Sequence, residues 1–460
     1  FSFFQAFLSS ILSIIFGLPG AWLFTFYDFP GKRWIRLLTY LPFILPSVLV
    51  VLAMVLFFGN NGWINRGLMV LLGYEEPPLQ FLYSLTGILI AHVFYNFPLA
   101  MKIITDQWEQ ISEQYIEAAR SLGTSAYKRF FFLTLPLLTP SIVSAFVLIF
   151  LLCMNSFAII LVLGGGIRHT TIEVLIYQLA RIDLDFSGAA SLAFLQGVIS
   201  LASLLILLKG RDERLEQVSV TKNWLPDKLL NPSLKAWVAL FWLIFLLIFT
   251  LGPLSAILVD SFRKFENGEW IFTSYWYEMI FNWDGNNNFL TSLWNSLRIG
   301  FFSAVISSFC GLGLIFLIIK KNNLHRRFWE VLTLFPLSLS TVVFGVAWFH
   351  FYQKNLIGSI PIIYIVIGMH GLLTCPYWVK IFLPTLESIP EQWHNESKIL
   401  GKKFFEYVLQ ILWPWLRKTF LIAFFFSFSL SLGELNSTMM IADESIHTLP
   451  LEIYKAISQY

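Results

Sequence analysis

The sequence predicts an all-α polytopic membrane protein made of two homologous helical halves. Its 460 residues are 57% hydrophobic and only 13% charged, and their mean hydropathy is +0.70. Soluble domains carry about 25% charged residues, so this composition excludes a soluble globular protein. The second observation is an internal repeat, which divides the chain into two related parts.

The repeat is centred on a polar stretch between apolar segments, Glu117-Ala118-Ala119-Arg120-Ser121-Leu122-Gly123, which precedes Leu135-Pro136. A second copy follows 278 positions later, and further downstream the offset becomes 277. The repeat predicts a first half at 1–208, a linker at 209–233 and a second half at 234–460. The matching pairs include His92 and His370, Pro98 and Pro376, Lys102 and Lys380, Gly123 and Gly401, Pro136 and Pro414, and Thr171 and Thr448.

Ten apolar segments are near the ~20 residues that a membrane helix needs. We expect twelve in the intact chain, because each half lacks one helix where the sequence begins and stops. The two halves have the same number of visible spans and therefore the same orientation in the membrane. A repeat of this kind predicts a transport pathway at the interface of the halves. The segments lie at roughly 2–26, 35–58, 80–104, 137–163, 188–208, 234–258, 292–319, 330–352, 358–385 and 416–441.

The distribution of Lys and Arg predicts the orientation, since basic residues accumulate in cytoplasmic loops. With the loops near 27–36, 105–135, 209–235, 320–329 and 387–418 inside, and with Lys102 and Lys380 at the inner ends of their helices, that side holds 23 of the 31 basic residues. Both copies of the polar stretch are therefore expected to face the cytoplasm.

The polar stretch has the features of a docking surface. Residues 112–122 favour a short helix, and Gly123 permits a turn that a side chain would obstruct. Ala118 and Ala119 allow another surface to approach closely, and Pro136 is expected to open the next membrane helix. The alternative is an ordinary loop that leads back into the membrane, although a plain loop gives no reason for the same Gly and Pro spacing to recur.

These residues resemble the coupling motif of binding-protein-dependent ABC importer permeases. The first copy matches at Glu117, Ala118, Ala119 and Gly123, whereas Asn395-Glu396-Ser397 replaces Glu-Ala-Ala in the second copy, which keeps Gly401. The resemblance implies a type I importer permease whose coupling segments, including Glu396 and Ser397, dock in two ATPase subunits. It also implies a periplasmic or lipid-anchored solute-binding protein, with ATP and Mg on the ATPase and no cofactor on this chain.

Within that family the chain is most similar to the fused two-half permeases of the thiamine and ferric-iron branch. The segments 1–9, 29–33, 91–98 and 163–166 and the run Thr170-Thr171-Ile172-Glu173 look most like the thiamine type. In the second half, 432–435 and 448–451 are similar to ferric-iron and other anion-type permeases as well. The resemblance thus implies thiamine or its phosphates as solute, with ferric iron as the alternative.

Several polar residues fall inside predicted membrane helices, where they are costly and often functional. Glu434, its repeat mate Ser156, and the nearby Asn155 and Asn436 are candidates for the pathway or gate. The alternative is that they hold neighbouring helices together, because polar contacts between helices are common in membranes.

His92 and His370 are also pathway candidates, as a pair that could face a polar solute. Helix packing is the favoured interpretation, and a closed metal site needs about four ligands. The three cysteines, Cys153, Cys310 and Cys375, have no metal-binding spacing, so no metal site is predicted.

Gly164, Gly165 and Gly166 follow a membrane helix on the outer side. The family resemblance implies contact with the solute-binding protein there, and the alternative is an ordinary turn.

The sequence carries no Gly-rich phosphate-binding loop, so ATP hydrolysis must come from another chain. The expected location is the bacterial inner membrane, with lipid but no nucleic acid as partner. A transporter driven by an ion gradient, with Glu434 as ion site, is the competing function. An intramembrane enzyme is remote, because no nucleophile or second carboxylate is suitably spaced.

Overall fold

A computed structural model describes most of the chain. The described residues are 1–164, 169–209, 227–229, 233–266, 269–281, 288–319, 326, 328–329, 332–333, 336, 340–355, 359–399, 401, 403–443 and 446–458.

The chain divides into two compact units. The first contains Phe1–Leu179 and Ser187–Asn282, and the second contains Ala180–Phe186 and Trp283–Tyr460. The predicted halves, which rest on the repeat, stay a prediction. The compact units differ from them mainly in assigning the helix that starts at Leu234 to the first unit.

In the first unit the helices, in chain order, are α1 (Ser2–Phe26), α2 (Lys32–Thr39), α3 (Leu41–Ile44), α4 (Ser47–Phe58), α5 (Trp63–Leu72), α6 (Leu85–Trp108), α7 (Glu113–Ser121), α8 (Ala126–Arg129), α9 (Leu135–Met154), α10 (Ala158–Leu163), α11 (Ile172–Tyr177), α12 (Phe186–Lys209), α13 (Leu234–Asp260) and α14 (Tyr275–Phe281). Strands β1 (Tyr27–Asp28) and β2 (Asp227–Lys228) pair in parallel, whereas β3 (Arg263–Glu266) and β4 (Glu269–Phe272) form an antiparallel hairpin.

The helices of the second unit are α15 (Asn288–Ile319), α16 (Thr341–Asn355), α17 (Ile362–Glu387), α18 (Glu391–Ile399), α19 (Phe404–Tyr407), α20 (Trp413–Leu432), α21 (Asn436–Ile441) and α22 (Leu449–Ser458).

The all-α membrane architecture is confirmed. Among the described residues, nine helical stretches are long and apolar enough to cross a membrane. They match nine of the ten predicted segments. The tenth prediction, at 330–352, corresponds to α16 at its end, and much of its beginning lies outside the described residues.

Three predicted segments are interrupted in the structure. The segment at 35–58 breaks at Leu45 and Pro46, where proline fixes an extended backbone before α4. The segment at 137–163 breaks at Asn155, and the segment at 416–441 breaks after Gly433. Each of the latter two breaks separates a long helix from a six-residue helix, α10 or α21.

The expectation that Pro136 opens a new membrane helix is wrong. The backbone stays helical from Ala126 to Met154, because a π turn at Phe130–Thr134 joins α8 to α9. A second π turn, Val408–Leu412, joins α19 to α20 before Pro414. A π turn pairs residues five apart, so the helix accommodates a proline, which has no N–H, without ending.

Helix α13 packs on the first unit through aromatic contacts. Phe249 lies against Phe94 and Phe97, with ring centroids 5.7 and 5.8 Å apart. Gly252 faces Phe57 so closely that a Cβ atom there would lie 2.7 Å from the ring. The sequence repeat alone could not indicate this placement, because it follows from contacts with distant parts of the chain.

Both units attach a short helix to a long one through the same kind of hydrogen bond. The Ile172 N–H, at the start of α11, donates to Ser2 Oγ over 2.9 Å. The Leu449 N–H, at the start of α22, donates to Ser296 Oγ over 2.9 Å. Since Ile172 and Leu449 are repeat mates, the two units share this anchor.

Candidate functional sites

The first predicted coupling segment forms a well-capped helix, α7. The Ser112 side chain accepts a hydrogen bond from the Gln114 N–H, 3.3 Å away, and caps the helix start. Ile116 is buried and fixes the helix to the unit. The predicted helix at residues 112–122 is therefore confirmed to within one residue at each end.

The end of α7 adopts a Schellman motif, which satisfies the last carbonyl groups of a helix. The Gly123 N–H donates to Arg120 O over 2.9 Å, and the Thr124 N–H donates to Ala119 O over 3.3 Å. Gly123 has φ +73°, and a Cβ atom on this residue would have no neighbour within 4 Å. Backbone conformation, rather than crowding, thus explains why the sequence has glycine there.

The surface around this turn is exposed and partly apolar. Glu117 and Ala118 are exposed, and Ala119 is half-buried. Leu122 and Tyr127 are 81% and 70% exposed. This is the docking surface that the sequence predicts, although the docking itself stays a prediction.

The second predicted coupling segment repeats the backbone geometry with different side chains. Helix α18 is followed by Gly401, which has φ +69° and open surroundings like Gly123. Glu396 is exposed, whereas Ser397 is only 2% exposed. Ile399 is 84% exposed. The side chain of Asn395 lies outside the described residues.

His92 is held by hydroxyl groups inside the first unit. Its Nδ1 lies 3.1 Å from Ser9 Oγ, and its Nε2 lies 2.9 Å from Ser156 Oγ. The ring is 1% exposed. Ser9 belongs to α1 and Ser156 to the break after α9, so the histidine joins three helical segments. This arrangement favours the packing interpretation.

His370 has the equivalent arrangement in the second unit. Its Nδ1 lies 2.8 Å from Ser431 Oγ, and its Nε2 lies 2.9 Å from Thr438 Oγ1. Both ring nitrogens of each histidine are thus engaged by hydroxyl groups. Within the described part of the chain, no three His, Cys, Asp or Glu side chains come together as a metal site would require.

Glu434 stabilises the start of α21. Its Oε1 accepts hydrogen bonds from the Ser437 N–H and hydroxyl, at 3.0 and 3.2 Å. Asn436 Nδ2 donates to Thr341 Oγ1 over 3.1 Å and so connects α21 to α16. Glu434 is half-buried. These contacts give both residues a structural role, and their role in the pathway stays a prediction.

Asn155 leads to two polar residues that the sequence analysis did not select as site residues, Glu173 and Gln196. Gln196 Nε2 donates to Asn155 Oδ1 over 3.1 Å and also to Glu173 Oε1. Glu173 is completely buried, and Gln196 is 1% exposed. An ionisable residue in an apolar run is a detectable signal, but the sequence does not reveal which amides surround it.

Of the three glycines predicted to contact the binding protein, the structure describes only Gly164. Its N–H donates to Ile160 O over 2.8 Å and closes α10. Gly165 and Gly166 lie outside the described residues.

The chain resembles known transport proteins along its whole length. Residues 3–217 match the family described as binding-protein-dependent transport system inner membrane component. The chain is 28% identical over 473 residues to the thiamine transport system permease protein ThiP of Brucella abortus (strain 2308), covering 100% of this chain and 82% of the relative.

Two further relatives carry the same name. The protein of Haemophilus influenzae (strain ATCC 51907 / DSM 11121 / KW20 / Rd) is 27% identical over 464 residues, which cover 100% of this chain and 83% of the relative. The protein of Escherichia coli (strain K12) is 28% identical over 465 residues, with the same coverage. This chain, a multi-pass inner membrane protein with repeated polar helices, is therefore similar to the inner membrane components of binding-protein-dependent transport systems, over residues 3–217 by the family match and over its whole length by these relatives.

Proposed function

We propose that the chain is the permease subunit of an ATP-driven importer for thiamine or its phosphates. One observation carries the choice of solute: both halves of the chain align continuously with thiamine permeases, at 28% identity over 473 residues. A binding protein would deliver the solute outside, and alternating access of the permease would release it into the cytoplasm.

In this proposal α7 and α18 contact two ATPase subunits, which bind ATP and Mg. The exposed residues Glu117, Ala118 and Glu396, together with the turns at Gly123 and Gly401, form the contact surfaces. The helical backbone continues from Ala126 to Met154, so movement at the docking surface has a direct route into the membrane. The permease contributes the path and the ATPase the hydrolysis.

The outer side of the chain would receive a periplasmic or lipid-anchored binding protein, and residues 164–166 are the proposed contact. These residues follow α10 in the sequence, and Ile159, Ile160 and Leu163 of that helix are buried. A docking event at residues 164–166 would therefore act next to a well-anchored helix.

Two other functions remain as alternatives. A ferric-iron importer of the same family would keep the same partners. An ion-gradient-driven transporter using Glu434 would need no ATPase, but it leaves the two repeated turns at Gly123 and Gly401 without a role.

Solute-stimulated ATP hydrolysis distinguishes these possibilities. The chain would be reconstituted in liposomes with its ATPase and binding protein, and thiamine, thiamine phosphate and ferric ion would be added separately. We expect thiamine or its phosphate, but not ferric ion, to stimulate hydrolysis and to accumulate in the cytoplasm-equivalent compartment. Stimulation by ferric ion alone would overturn the solute, and uptake without any ATPase would overturn the importer class.

A further inference from the structure

Helix α2 carries an exposed apolar face with an arginine at its edge. Trp34 is 71% exposed, Leu37 50% and Leu38 37%, and Arg33 is exposed as well. At about 100° per residue, these four side chains fall within one half of the helix surface. Ile35, on the opposite half, packs on the hydrophobic core of the first unit. The exposed face therefore belongs to a helix that is fixed in place.

The start of α13 adds a similar face beside α2. The two helices pack against each other. They also begin in the same part of the unit, because β1 precedes α2, β2 precedes α13, and these strands pair. Lys235 is exposed near the start of α13. Four apolar side chains of this helix are more than half exposed: Leu234, Trp237, Val238 and Phe241.

Three basic side chains on this surface are exposed and have no acidic partner. Arg33 on α2, Lys228 on β2 and Lys235 on α13 form no ion pair within the described part of the chain. Asp28, which lies opposite Lys228 in the strand pair, is exposed and offsets one of these charges. Among the described side chains, the surface therefore combines excess positive charge with a broad apolar area.

The predicted orientation places this surface at the inner boundary of the membrane. The loops near 27–36 and 209–235, which precede α2 and α13 or contain them in part, are expected in the cytoplasm. Tryptophan is enriched at the interface between membrane and water. Anionic headgroups of the cytoplasmic leaflet attract basic side chains that lie close to the membrane. Both kinds of side chain thus occur where a headgroup would meet them.

Arg36 connects α2 to the end of α6. Its Nη1 lies 3.2 Å from Glu109 Oε1, and its Nη2 lies 3.5 Å from Asp106 Oδ1. Glu109 is four residues before Glu113, where the predicted coupling helix α7 begins. The position of α2 is therefore linked by ion pairs to the segment that leads into α7.

We propose that the surface formed by α2, β2 and the start of α13 binds an anionic phospholipid of the inner leaflet and, through Arg36, supports the first coupling segment. Arg33, Lys228 and Lys235 contact the headgroup phosphate, and the exposed tryptophans and aliphatic side chains contact the glycerol region and acyl chains. A neutral lipid would account for the apolar side chains but not for three basic ones without acidic partners. The lipid site goes beyond the proposed function, whereas its effect on coupling rests on that function.

Direct lipid binding tests the site. The purified chain in detergent would be titrated with phosphatidylglycerol or phosphatidylcholine, and bound lipid would be counted by native mass spectrometry. We expect phosphatidylglycerol to bind more tightly. Arg33→Gln and Lys235→Gln should each weaken its binding about fivefold, and the double variant about thirtyfold, as for the loss of one or two charges near a membrane surface. Phosphatidylcholine binding and the melting temperature should stay close to wild type, because both side chains are exposed.

Lys354→Gln is the matched control. Lys354 is exposed like Lys235, but it lies near the end of α16 in the second unit, on the predicted outer side. The control removes the same charge elsewhere and should leave phosphatidylglycerol binding unchanged. Equal weakening by the control, equal affinity for the two lipids, or displacement of the lipid by inorganic phosphate would each overturn the site.

Arg36→Gln tests the link to α7. In proteoliposomes with the ATPase and binding protein, we expect phosphatidylglycerol to raise solute-stimulated ATP hydrolysis by the wild-type complex. Arg36→Gln and the double variant Arg33→Gln/Lys235→Gln should both lose this increase, although Arg36→Gln should still bind the lipid in detergent. A normal lipid response in Arg36→Gln would refute the link. If the wild-type complex shows no solute-stimulated hydrolysis in either lipid, the proposed function fails, while binding in detergent still decides the lipid site.

Discussion

His92 in the first unit and His370 in the second each hold both ring nitrogens against hydroxyl groups, but the hydroxyl groups come from different places. His92 meets Ser9 and Ser156, whereas His370 meets Ser431 and Thr438. Where the first unit has Ser156, the second has Glu434, which binds the start of α21 instead. The histidine is thus the same in both units, whereas its hydroxyl partners come from different positions of the repeat.

The two coupling segments differ in the same way. Gly123 and Gly401 have φ +73° and +69°, and a π turn precedes a proline in both copies. The side chains on the preceding helix differ between the two copies, since Glu396 and Ser397 occupy the positions of Ala118 and Ala119. Backbone geometry is therefore the part of the repeat that both units need, and side chains vary around it.

The largest expected effect on transport activity comes from replacing the glycines. Gly123→Val and Gly401→Val each force a branched side chain into a left-handed conformation, at a cost of roughly 1–2 kcal/mol. Because their backbone and surroundings match, we expect each to reduce binding-protein-stimulated ATP hydrolysis by about tenfold, measured in proteoliposomes.

The matched control is Gly73→Val, at φ +70° with open surroundings at the end of α5. It carries the same strain far from the coupling segments in the sequence and should leave stimulation intact. An equal loss in this control, or a loss in only one of the two coupling variants, would contradict the equivalence of the segments.

Replacing the histidines tests whether their different partners are equally stabilising. His92→Ala and His370→Ala each remove two hydrogen bonds between a buried ring and hydroxyl groups, so each should lower the free energy of unfolding by about 1–3 kcal/mol. Denaturant titration in detergent measures this. The double variant His92→Ala/Ser9→Ala should cost little more than His92→Ala, and an additive loss would show that the two side chains act independently.

Two variants of Glu434 test whether the second unit needs its hydrogen-bonding oxygen or its negative charge. Glu434→Ala removes the oxygen that accepts from Ser437 and should destabilise the chain by about 1 kcal/mol, as for other helix caps. Glu434→Gln keeps that oxygen and should be close to wild type in the same titration. If both variants are equally destabilised, the charge rather than the cap is what the second unit requires.

The smallest effect is expected at the shared serine anchors. Ser2→Ala and Ser296→Ala each remove one hydrogen bond, worth about 0.6 kcal/mol between membrane helices. Hydrogen exchange at the Ile172 and Leu449 amides should quicken about threefold in the respective variant. Unchanged exchange at either amide would mean that the anchor is not equivalent in the two units.

The sequence predicted those features of the structure that depend on residues close together in the chain. Apolar length indicated the membrane segments, and Ser112 and Gly123 indicated both ends of α7. It did not predict that helix would continue through Phe130–Thr134, because a π turn has no clear residue preference that distinguishes it from a loop. Pro136 therefore looked like a helix start.

Contacts between distant residues could not be predicted. Glu173 and Gln196 are 23 residues apart and meet because the chain returns along α12. Nor could the sequence place α13 in the first unit, since its apolar surface suits either set of helices. The hydroxyl partners of His92 and His370 were hidden for a related reason: they do not occupy matching repeat positions.

The π turns also set the rotational register of the membrane helices that follow them. An α-helix advances about 100° per residue, and a π turn accommodates one residue more than an α turn. The side chains of α9 and α20 are therefore rotated by about that angle from the directions that they would have if an uninterrupted α-helix continued from α8 and α19. In each unit, which side chains point inward several turns later, including those near Asn155 and Gly433, depends on a single extra residue in the π turn.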